Sequence, residues 1–447
     1  MSSSSEDSDS DNGNGNGGDY GARRGGDFEG PSASRRRAIN DIWPEPFLEA
    51  LATQVAIDAS RSIGRLAAAQ AVANVFQVCS TWRAVSRSEM LWSRLTRVVW
   101  GRTHLMLPTW HEEYIYRHRV ARSFRTRRSS HYTLHYDPSD VDDPDGLICR
   151  CLTLSDLHLA CGFADGTVRL FDLATRLHVS TFRPHHRDDR IGRFSRAVSG
   201  IVINDSTLVF ATLDGDIHVA VIDGGAQPPR RAHLGDVVND GALVDFTGCG
   251  RFWVGLYAGP PGRAFHVWDS NTEEVVFVDG SLTDPEAVMG WRMLTELTES
   301  VGRIRVTSLG FAVACTSSRV MVFDLRNPGL ILGEREYPRG LIVTCADVSE
   351  EGFIVVDSRG VARVRRVDTF EEVCRFPARG ASVGCMNSGY AMVCAGGVIR
   401  VWEVDRGEYL YSFRERVGEV NALVANERHV AGCAMDSTIH LWDFGAQ

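Results

Sequence analysis

A strand pattern that recurs seven times between residue 131 and the end of the chain limits the fold more than any other feature of the sequence. Each copy is a short run in which apolar and polar residues alternate, and most copies end near an aromatic residue followed by an acidic one. The copies are TVRLFDL, DIHVAVI, AFHVWDS, RVMVFDL, VARVRRV, VIRVWEV and TIHLWDF. They align Phe171, Ala220, Trp268, Phe323, Arg365, Trp402 and Trp442 in one column. A spacing of about 40 to 50 residues with turn residues between short strands is typical of repeats that each form one sheet.

Seven such repeats predict an all-β propeller of seven blades over residues 131–447. The Trp-Asp pairs that begin at Trp268 and Trp442 resemble those of the WD-repeat family, which implies this fold. The second and fifth repeats lack the aromatic residue and are identified by spacing and strand pattern alone. The last repeat ends at Phe444, which leaves too few residues for a fourth strand. We therefore expect HYTLHY, residues 131–136, to supply the outer strand of blade seven and to close the ring.

Three regions precede the propeller. Residues 1–40 contain almost nothing apolar and predict a disordered tail. Residues 41–100 carry three short segments with apolar residues at helical spacing, which predict a small all-α domain. Because each segment is short and has a wide apolar face, we expect the helices of a partner to complete its packing. Residues 101–130 predict an Arg-rich linker helix.

Composition and motifs exclude several classes of function. The formal charge of −9 argues against general affinity for nucleic acids. No apolar run reaches membrane-spanning length, and the eleven cysteines lack paired spacing, which predicts buried thiols in an intracellular protein. The sequence has no Gly-rich phosphate loop, GxSxG or HExxH motif, so it predicts a non-catalytic protein without cofactor or metal. The histidines His218, His266 and His440 share one strand position, which explains their regularity without a metal site.

The helical region resembles an F-box, the module that binds a Skp-type adaptor of cullin ubiquitin ligases. The resemblance lies in the opening Trp-Pro, in VCxxWR at residues 78–83 and in LWxxL at residues 91–95. It implies that the adaptor contacts Trp43, Pro44, Phe47, Leu48, Leu51, Val75, Val78, Cys79, Trp82, Leu91, Trp92 and Leu95. Residues 58–71 make the region longer than usual by about three helical turns, and we expect them to extend or loop one helix. An ordinary three-helix domain with a coincidental pattern is the alternative.

Almost the whole chain resembles plant F-box/WD-repeat regulators. The stretches that carry this resemblance are NDIWPEPFLEALATQVA, HLACGFADGTVRLF, DGALVDFTGCGRFWVGL, SLTDPEAVMGW and RVWEVDRGEYLYSFRERVGEV. The resemblance implies a nuclear protein that controls flower development and organ growth. It also implies a substrate receptor whose partners are a Skp-type adaptor, a cullin and a protein substrate, namely a transcriptional repressor complex.

Arginines concentrate in predicted loops on one rim of the propeller. The planar guanidinium group suits carboxylates and phosphates, so we expect an acidic or phosphorylated segment of the substrate to bind there. The candidates are Arg187, Arg190, Arg193, Arg196, Arg263, Arg319 and Arg359. Solvated loop arginines are the alternative, because all 48 basic residues are arginine and the sequence contains no lysine. The missing lysines reflect either codon bias or protection of a receptor from its own ligase.

Two other classes of function compete with the substrate receptor. One is a DNA-associated transcriptional regulator that contacts DNA through the arginines between residues 117 and 128. The other is a WD-repeat scaffold with no link to a ligase. A further expectation concerns the insertion at residues 281–302, which predicts a helix that either binds a partner or packs on the propeller edge.

Overall fold

The computed structural model describes eleven ranges of the chain and, for residues 191 and 193, the backbone alone. The described ranges are 43–137, 148–184, 190–193, 195–204, 206–222, 227–260, 262–280, 303–315, 319–337, 341 and 343–446. The predicted tail at 1–40, the insertion at 281–302 and Arg187 lie outside these residues.

Five helices and one 3-10 turn precede the first strand in the described chain. They are α1 (Glu45–Ser62), α2 (Ala67–Phe76), α3 (Ser80–Ala84), the turn Val85–Arg87, α4 (Glu89–Trp100) and α5 (Trp110–Thr126). The Ser88 hydroxyl caps α4 by accepting a hydrogen bond from the backbone of Leu91, and Gly101 ends that helix in the left-handed conformation. Thr109 caps α5 in the same way, as the sequence predicts. None of the described helices is both long and apolar enough to cross a membrane.

The helices close a core of their own without a partner, although Trp43, Phe47 and Val78 remain exposed. The reason is α5, which supplies Tyr114 to this core. The Tyr114 ring lies 5.1 Å from the ring of Trp92 and 6.1 Å from that of Trp100. The buried apolar residues are Leu48, Ala52, Ala56, Ala68, Val72, Val85, Leu91, Trp92, Leu95, Val99, Trp100 and Tyr114. We call α1 to α5 the helical unit.

The long interval at residues 58–71 extends one helix and begins the next. Helix α1 continues to Ser62, the chain turns at Gly64, and α2 begins at Ala67. Gly64 has a φ of +124°, and a Cβ atom there would lie 3.3 Å from a carboxylate oxygen of Asp405 in the propeller. Glycine is therefore favoured both by the backbone conformation and by the close approach of the two units.

Seven four-stranded antiparallel sheets form the propeller. The first strands of the blades are β2 (Cys149–Leu154), β7 (Val198–Ile203), β11 (Ala242–Gly248), β15 (Arg303–Val306), β19 (Val343–Val348), β23 (Ala381–Met386) and β27 (Val420–Ala425). The second strands are β3 (His158–Phe163), β8 (Thr207–Thr212), β12 (Phe252–Ala258), β16 (Phe311–Cys315), β20 (Gly352–Asp357), β24 (Tyr390–Ala395) and β28 (His429–Ala434). Each first strand contacts the first strands of both neighbouring blades, which closes a ring around a central channel.

The third and outer strands complete the blades. The third strands are β4 (Val168–Asp172), β9 (Ile217–Val221), β13 (Phe265–Asp269), β17 (Arg319–Asp324), β21 (Val361–Arg366), β25 (Val398–Glu403) and β29 (Ile439–Asp443). The outer strands are β5 (His178–Phe182), β10 (Arg230–His233), β14 (Val275–Asp279), β18 (Ile331–Glu336), β22 (Glu372–Pro377), β26 (Glu408–Ser412) and, in blade seven, β1 (Ser130–Leu134). The connections after blades one and two contain β6 (Arg190–Arg193) and α6 (Val237–Asp240) respectively.

The seven-bladed propeller and its closure by the first strand are confirmed. Strand β1 pairs antiparallel with β29 in a register that places Ser130 opposite Asp443 and Leu134 opposite Ile439. Leu134 is buried between blades seven and one. The outer strand of the last blade thus comes from the chain segment that follows the helical unit.

The residues that align in one column of the repeats lie in the third strands of the blades. In the fifth repeat, this position is an arginine instead of an aromatic residue. Trp268 and Trp442 are almost completely buried. Arg365 replaces the aromatic residue in blade five and is 8% exposed. Its guanidinium group donates to the carbonyl of Phe370 and to Glu372, both at 3.0 Å, and lies over the Phe370 ring. Local polar partners therefore compensate for the missing ring.

All eleven cysteines are free thiols, and seven of them are buried. Burial raises the pKa of Cys151, Cys315 and Cys345 to about 12. Because the thiolate is the reactive form, these side chains act as small apolar core residues, as the sequence predicts.

Candidate docking surfaces at the two ends of the propeller

The antiparallel blades give the propeller two chemically different ends. The turns between first and second strands, and those between third and outer strands, lie at one end, which we call the proximal face. The turns between second and third strands, and the connections between blades, lie at the other end, which we call the distal face.

The helical unit sits on the proximal face through two ion pairs. The guanidinium group of Arg102 donates to Asp156, in the first turn of blade one, with its shorter contacts at 2.9 Å or less. Arg65 lies 3.5 Å from Glu427, in the first turn of blade seven. Burial by itself would raise the pKa of Asp156 and of Glu427, but the facing arginines outweigh it and leave both values below the ordinary range. Both carboxylates therefore stay ionised, and the pairs stay charged, at neutral pH.

An aromatic stack and a third ion pair make the same junction rigid. Phe124 of α5 stacks between Tyr390 and Phe444, with ring centroids 5.2 Å and 3.6 Å away. The Tyr390 hydroxyl donates to a carbonyl of α5 at 2.8 Å. Arg125 lies 3.3 Å from Glu403 in blade six. Helix α5 is thus shared by both units rather than being only a linker, because one end packs in the helical core and the other on the propeller.

The structure divides the twelve residues predicted to contact an adaptor into three groups. The exposed ones are Trp43, Pro44, Phe47 and Val78. The half-buried ones are Leu51, Val75, Cys79 and Trp82. The buried ones are Leu48, Leu91, Trp92 and Leu95. The buried group packs inside the helical unit, where it holds the helices in place.

An exposed aromatic pair marks the start of α1. The rings of Trp43 and Phe47 stack with centroids 4.6 Å apart, and the two residues are 47% and 44% exposed. The other end of α1 meets the propeller, because Arg406 donates to the carbonyl of Ile63 at 3.3 Å. At 1.5 Å per residue, about 24 Å of helix separates the aromatic pair from that contact. The pair therefore lies at the opposite end of α1 from this contact with the propeller.

The predicted rim arginines that the structure describes lie on the distal face, but three of them form ion pairs within the chain. Arg263 is bonded to Asp240, with its Nε atom 2.6 Å from the carboxylate. Arg319 contacts Glu334 at 3.0 Å and Glu336 at 2.6 Å.

A network around blade two neutralises a third rim arginine. Arg190 contacts Asp214 at 3.2 Å and also binds Asp216, which in turn contacts Arg231. None of the three paired arginines therefore carries an uncompensated charge for a ligand.

The remaining rim arginines differ in exposure. Arg359 is exposed in the turn between the second and third strands of blade five, and Arg196 is half-buried against the corresponding turn of blade one. The side chain of Arg193 lies outside the described part of the structure. Sequence spacing thus placed these arginines at one end of the fold but could not show which of them face a carboxylate.

The arginine run of α5 is partly used inside the protein. Arg117 is 4% exposed and its Nε atom donates to the fully buried Glu113 at 2.7 Å. Arg125 pairs with Glu403 across the junction. Two members of the run that would contact DNA in the alternative interpretation are therefore committed to internal ion pairs.

Sequence reasoning missed two arginines at the distal end of the central channel. Arg150 is the second residue of β2, and Arg303 is the first residue of β15. Neither lies in a loop. A bulge marks the position of Arg150, whereas β15 pairs with β16 without a register shift. In β2 the pairing register shifts between Cys149 and Cys151, so Arg150 is the extra residue.

Comparison with known proteins identifies a relative that covers almost all of both chains. No family model matches the sequence. Among solved structures, the computationally designed Ika8 protein is 17% identical, covers 66% of this chain and 96% of its own, and superposes with a TM-score of 0.45, so the fold assignment rests on the sheet topology above. The transcriptional regulator STERILE APETALA of Arabidopsis thaliana is 66% identical over an alignment of 432 residues that covers 94% of this chain and 96% of that protein. The chain therefore belongs to the family of the transcriptional regulator STERILE APETALA.

Proposed function

We propose that the protein is the substrate-recognition subunit of a Skp/cullin/F-box ubiquitin ligase. In this function the helical unit docks on the adaptor, and the propeller captures nuclear transcriptional regulators, such as a repressor complex, for ubiquitination in the control of flower development and organ growth. The protein itself performs no catalysis. The kinship with a protein named a transcriptional regulator supports the nuclear and transcriptional part.

The observation that carries the proposal is the exposed aromatic pair of Trp43 and Phe47. Large rings in contact with water are unfavourable, and they are typical of the residues that dominate binding energy at protein interfaces. Their position at the end of α1 farthest from the propeller leaves room for a partner of substantial size. The residues of this pair are also those that open the F-box resemblance.

The mechanism that follows is one of positioning. The helical unit is fixed to the proximal face by ion pairs and by the Phe124 stack, so an adaptor bound at the far end of α1 has a defined orientation relative to the distal face. A substrate held on that face is then kept near the ubiquitin-loaded enzyme, and the effective concentration of its lysines rises.

Replacing both Trp43 and Phe47 by Ala is expected to weaken adaptor binding strongly while the protein stays folded. Both side chains are half exposed and contribute little to the core. A loss of about 2 kcal/mol at such a position corresponds to about 30-fold weaker binding. The measurement is recovery of the Skp-type adaptor and cullin with the full chain. The control is Leu177→Ala, which removes an even more exposed apolar side chain from the turn before the outer strand of blade one. Equal recovery with both variants would refute the adaptor surface.

The absence of lysine in this sequence yields a second test of the ligase role. A receptor held beside a ubiquitin-conjugating enzyme is itself a close target, and a chain without lysine offers few amine acceptors. Introducing lysines at Ser3 and Ser8 is expected to shorten the lifetime of the protein in cells, as measured by chase after synthesis is blocked. Arginines at the same positions are the matched control, since they add the charge without an acceptor amine. A shortened lifetime that persists when Trp43 and Phe47 are replaced would contradict the interpretation.

A DNA-associated transcriptional regulator is the second candidate, and the name of the relative favours it. The formal charge of −9 and the internal ion pairs of Arg117 and Arg125 oppose it. Salt-dependent binding of duplex DNA that is lost when Arg119 and Arg122 are replaced by Gln would support this alternative.

A further inference from the structure

The outer side of α4 and of the turn before it carries arginines whose charge no described carboxylate balances. Four exposed arginines lie between residues 80 and 100, namely Arg83, Arg87, Arg94 and Arg97. The same stretch contains one acidic residue, Glu89, which accepts a hydrogen bond from the backbone nitrogen of Trp110 at 2.8 Å. Among the described residues, no carboxylate contacts any of the four arginines. Other arginines of the helical unit, such as Arg65 and Arg117, face a carboxylate instead.

Three of these arginines form a stripe along the exposed side of α4. Arg94 and Arg97 are three residues apart in the helix and are therefore neighbours on its surface. Arg87 lies just before the first turn, about 10 Å from Arg94 at the rise of a helix. The ring of Trp110, with its centroid 5.5 Å from the guanidinium carbon of Arg97, helps to position that side chain. We call Arg87, Arg94 and Arg97 the arginine stripe.

The stripe begins beside the helix to which the N-terminal tail is joined. Helix α1 contacts the turn Val85–Arg87, which carries the first arginine of the stripe. The tail ends at Trp43, just before α1 begins, and α1 contains 18 residues. Since a helix of this length measures about 27 Å, the tail joins the helical unit within about that distance of the contact.

The segment of this chain with the matching charge is its acidic start. Residues 1–42 lie outside the described part of the structure, and the first twenty contain no basic side chain. Their acidic residues are Glu6, Asp7, Asp9, Asp11 and Asp19. Residues 12–42 connect the first four of these acids to Trp43, and a Gly-rich chain of that length spans about 30 Å. The acidic start can therefore reach the arginine stripe of its own molecule.

We propose that the arginine stripe is a docking surface for residues 6–11 of the same chain. The planar guanidinium groups of Arg87 and Arg94 bind the carboxylates of this segment, which supplies four acids within six residues. Because residues 12–42 return from the stripe to Trp43, the docked tail lies next to the exposed aromatic pair. A docked tail therefore competes with a partner of the helical unit. This competition rests on the proposed function, whereas the docking itself does not depend on the ligase role.

Binding of a fluorescent peptide that copies residues 1–14 tests the docking. The peptide ends before the first arginine of the tail, so its anisotropy reports contacts with the rest of the protein. The receiving protein is the full chain with Glu6→Gln, Asp7→Asn, Asp9→Asn and Asp11→Asn, which we call the tail-neutral chain. The peptide is expected to bind this chain with a dissociation constant of about 0.1 mM and to bind more weakly as salt is added. The wild-type chain should bind it about 10-fold more weakly, since its own tethered tail competes at an effective concentration of about 1 mM.

Substitutions in the stripe locate the binding surface. In the tail-neutral chain, Arg87→Gln combined with Arg94→Gln is expected to weaken peptide binding by about 10-fold, because both charges that face the acids are lost. The matched control is Arg61→Gln, which removes an exposed arginine from the last turn of α1, the end that meets the propeller. All three side chains are exposed, so circular dichroism and the unfolding midpoint should stay those of the tail-neutral chain.

The outcomes separate the docking from the ligase role. No peptide binding to the tail-neutral chain, or an equal loss with Arg61→Gln and with the stripe variant, would overturn the docking while adaptor recovery stands. Duplex DNA that binds through the stripe where the peptide does not would assign the surface to nucleic acid and also overturn it. If the peptide binds as expected, the tail-neutral chain should recover more adaptor than the wild-type chain, and equal recovery would overturn the competition. Absence of adaptor from both chains would contradict the proposed function and leave the peptide result intact.

Discussion

Replacing residues 131–136 by a Gly/Ser linker of equal length is expected to unfold the propeller in one cooperative step. The replacement removes the strand that pairs with β29 and takes buried Leu134 out of the junction between blades seven and one. It also leaves β29 as an open edge. Loss of a buried leucine alone costs about 2 to 5 kcal/mol, which is a large part of the 5 to 15 kcal/mol that stabilises a typical domain.

Urea unfolding followed by tryptophan fluorescence and circular dichroism measures the effect, and two single variants in β1 calibrate it. Leu134→Ala is expected to lower the free energy of unfolding by about 2 to 5 kcal/mol. Thr133→Ala, on the exposed side of the same strand, is expected to change it by less than about 0.5 kcal/mol. A linker variant that unfolds at the wild-type midpoint would show that the ring is stable without this closure.

The closure could be predicted because its signals are local. Alternating strands, turn residues and a last repeat that stops at its third strand count the blades without any knowledge of tertiary contacts. Even blade five, whose column position is Arg365, follows from spacing alone. The compensation of Arg365 by Phe370 and Glu372 could not be seen in advance, because it depends on how the following turn folds back.

The docking residues were predicted less completely because exposure is a tertiary property. Helical spacing placed Phe47 and Trp92 on apolar faces alike, yet Phe47 is exposed and Trp92 is buried by Tyr114 of α5. In the same way, sequence spacing placed arginines on the distal rim, but Arg263 is neutralised by a carboxylate from a separate helix. The channel residue Arg150 was missed because a bulge has no clear signature in a single sequence.

Trp92→Ala is expected to destroy adaptor binding by unfolding the helical unit. The Trp92 side chain is 6% exposed, its indole nitrogen donates to the carbonyl of Ser86 at 2.6 Å, and its ring contacts Phe76 and Tyr114. Truncation of a buried tryptophan costs about 3 to 5 kcal/mol and leaves a cavity between α4 and α5. Loss of helical circular dichroism and faster proteolysis within the helical unit are the measurements.

The same helix offers a matched control for this variant. Met90 is 76% exposed two positions before Trp92, and Met90→Ala is expected to leave both the helical signal and its protection from protease unchanged. A Trp92→Ala protein that keeps its helices but loses the adaptor would mean that the indole contacts the partner directly, contrary to its burial here.

Comparison of the two tryptophan variants separates contact from support. Trp43 and Trp92 both belong to the F-box resemblance, and loss of adaptor recovery alone cannot distinguish their roles. Replacing both Trp43 and Phe47 by Ala removes exposed apolar area and should leave the unfolding of the helical unit unchanged. Replacing Trp92 by Ala should instead lower the stability of the helical unit at every adaptor concentration. Because a bound partner stabilises only the folded state, excess adaptor should restore binding to the Trp92 variant in part and should rescue the exposed-pair variant far less.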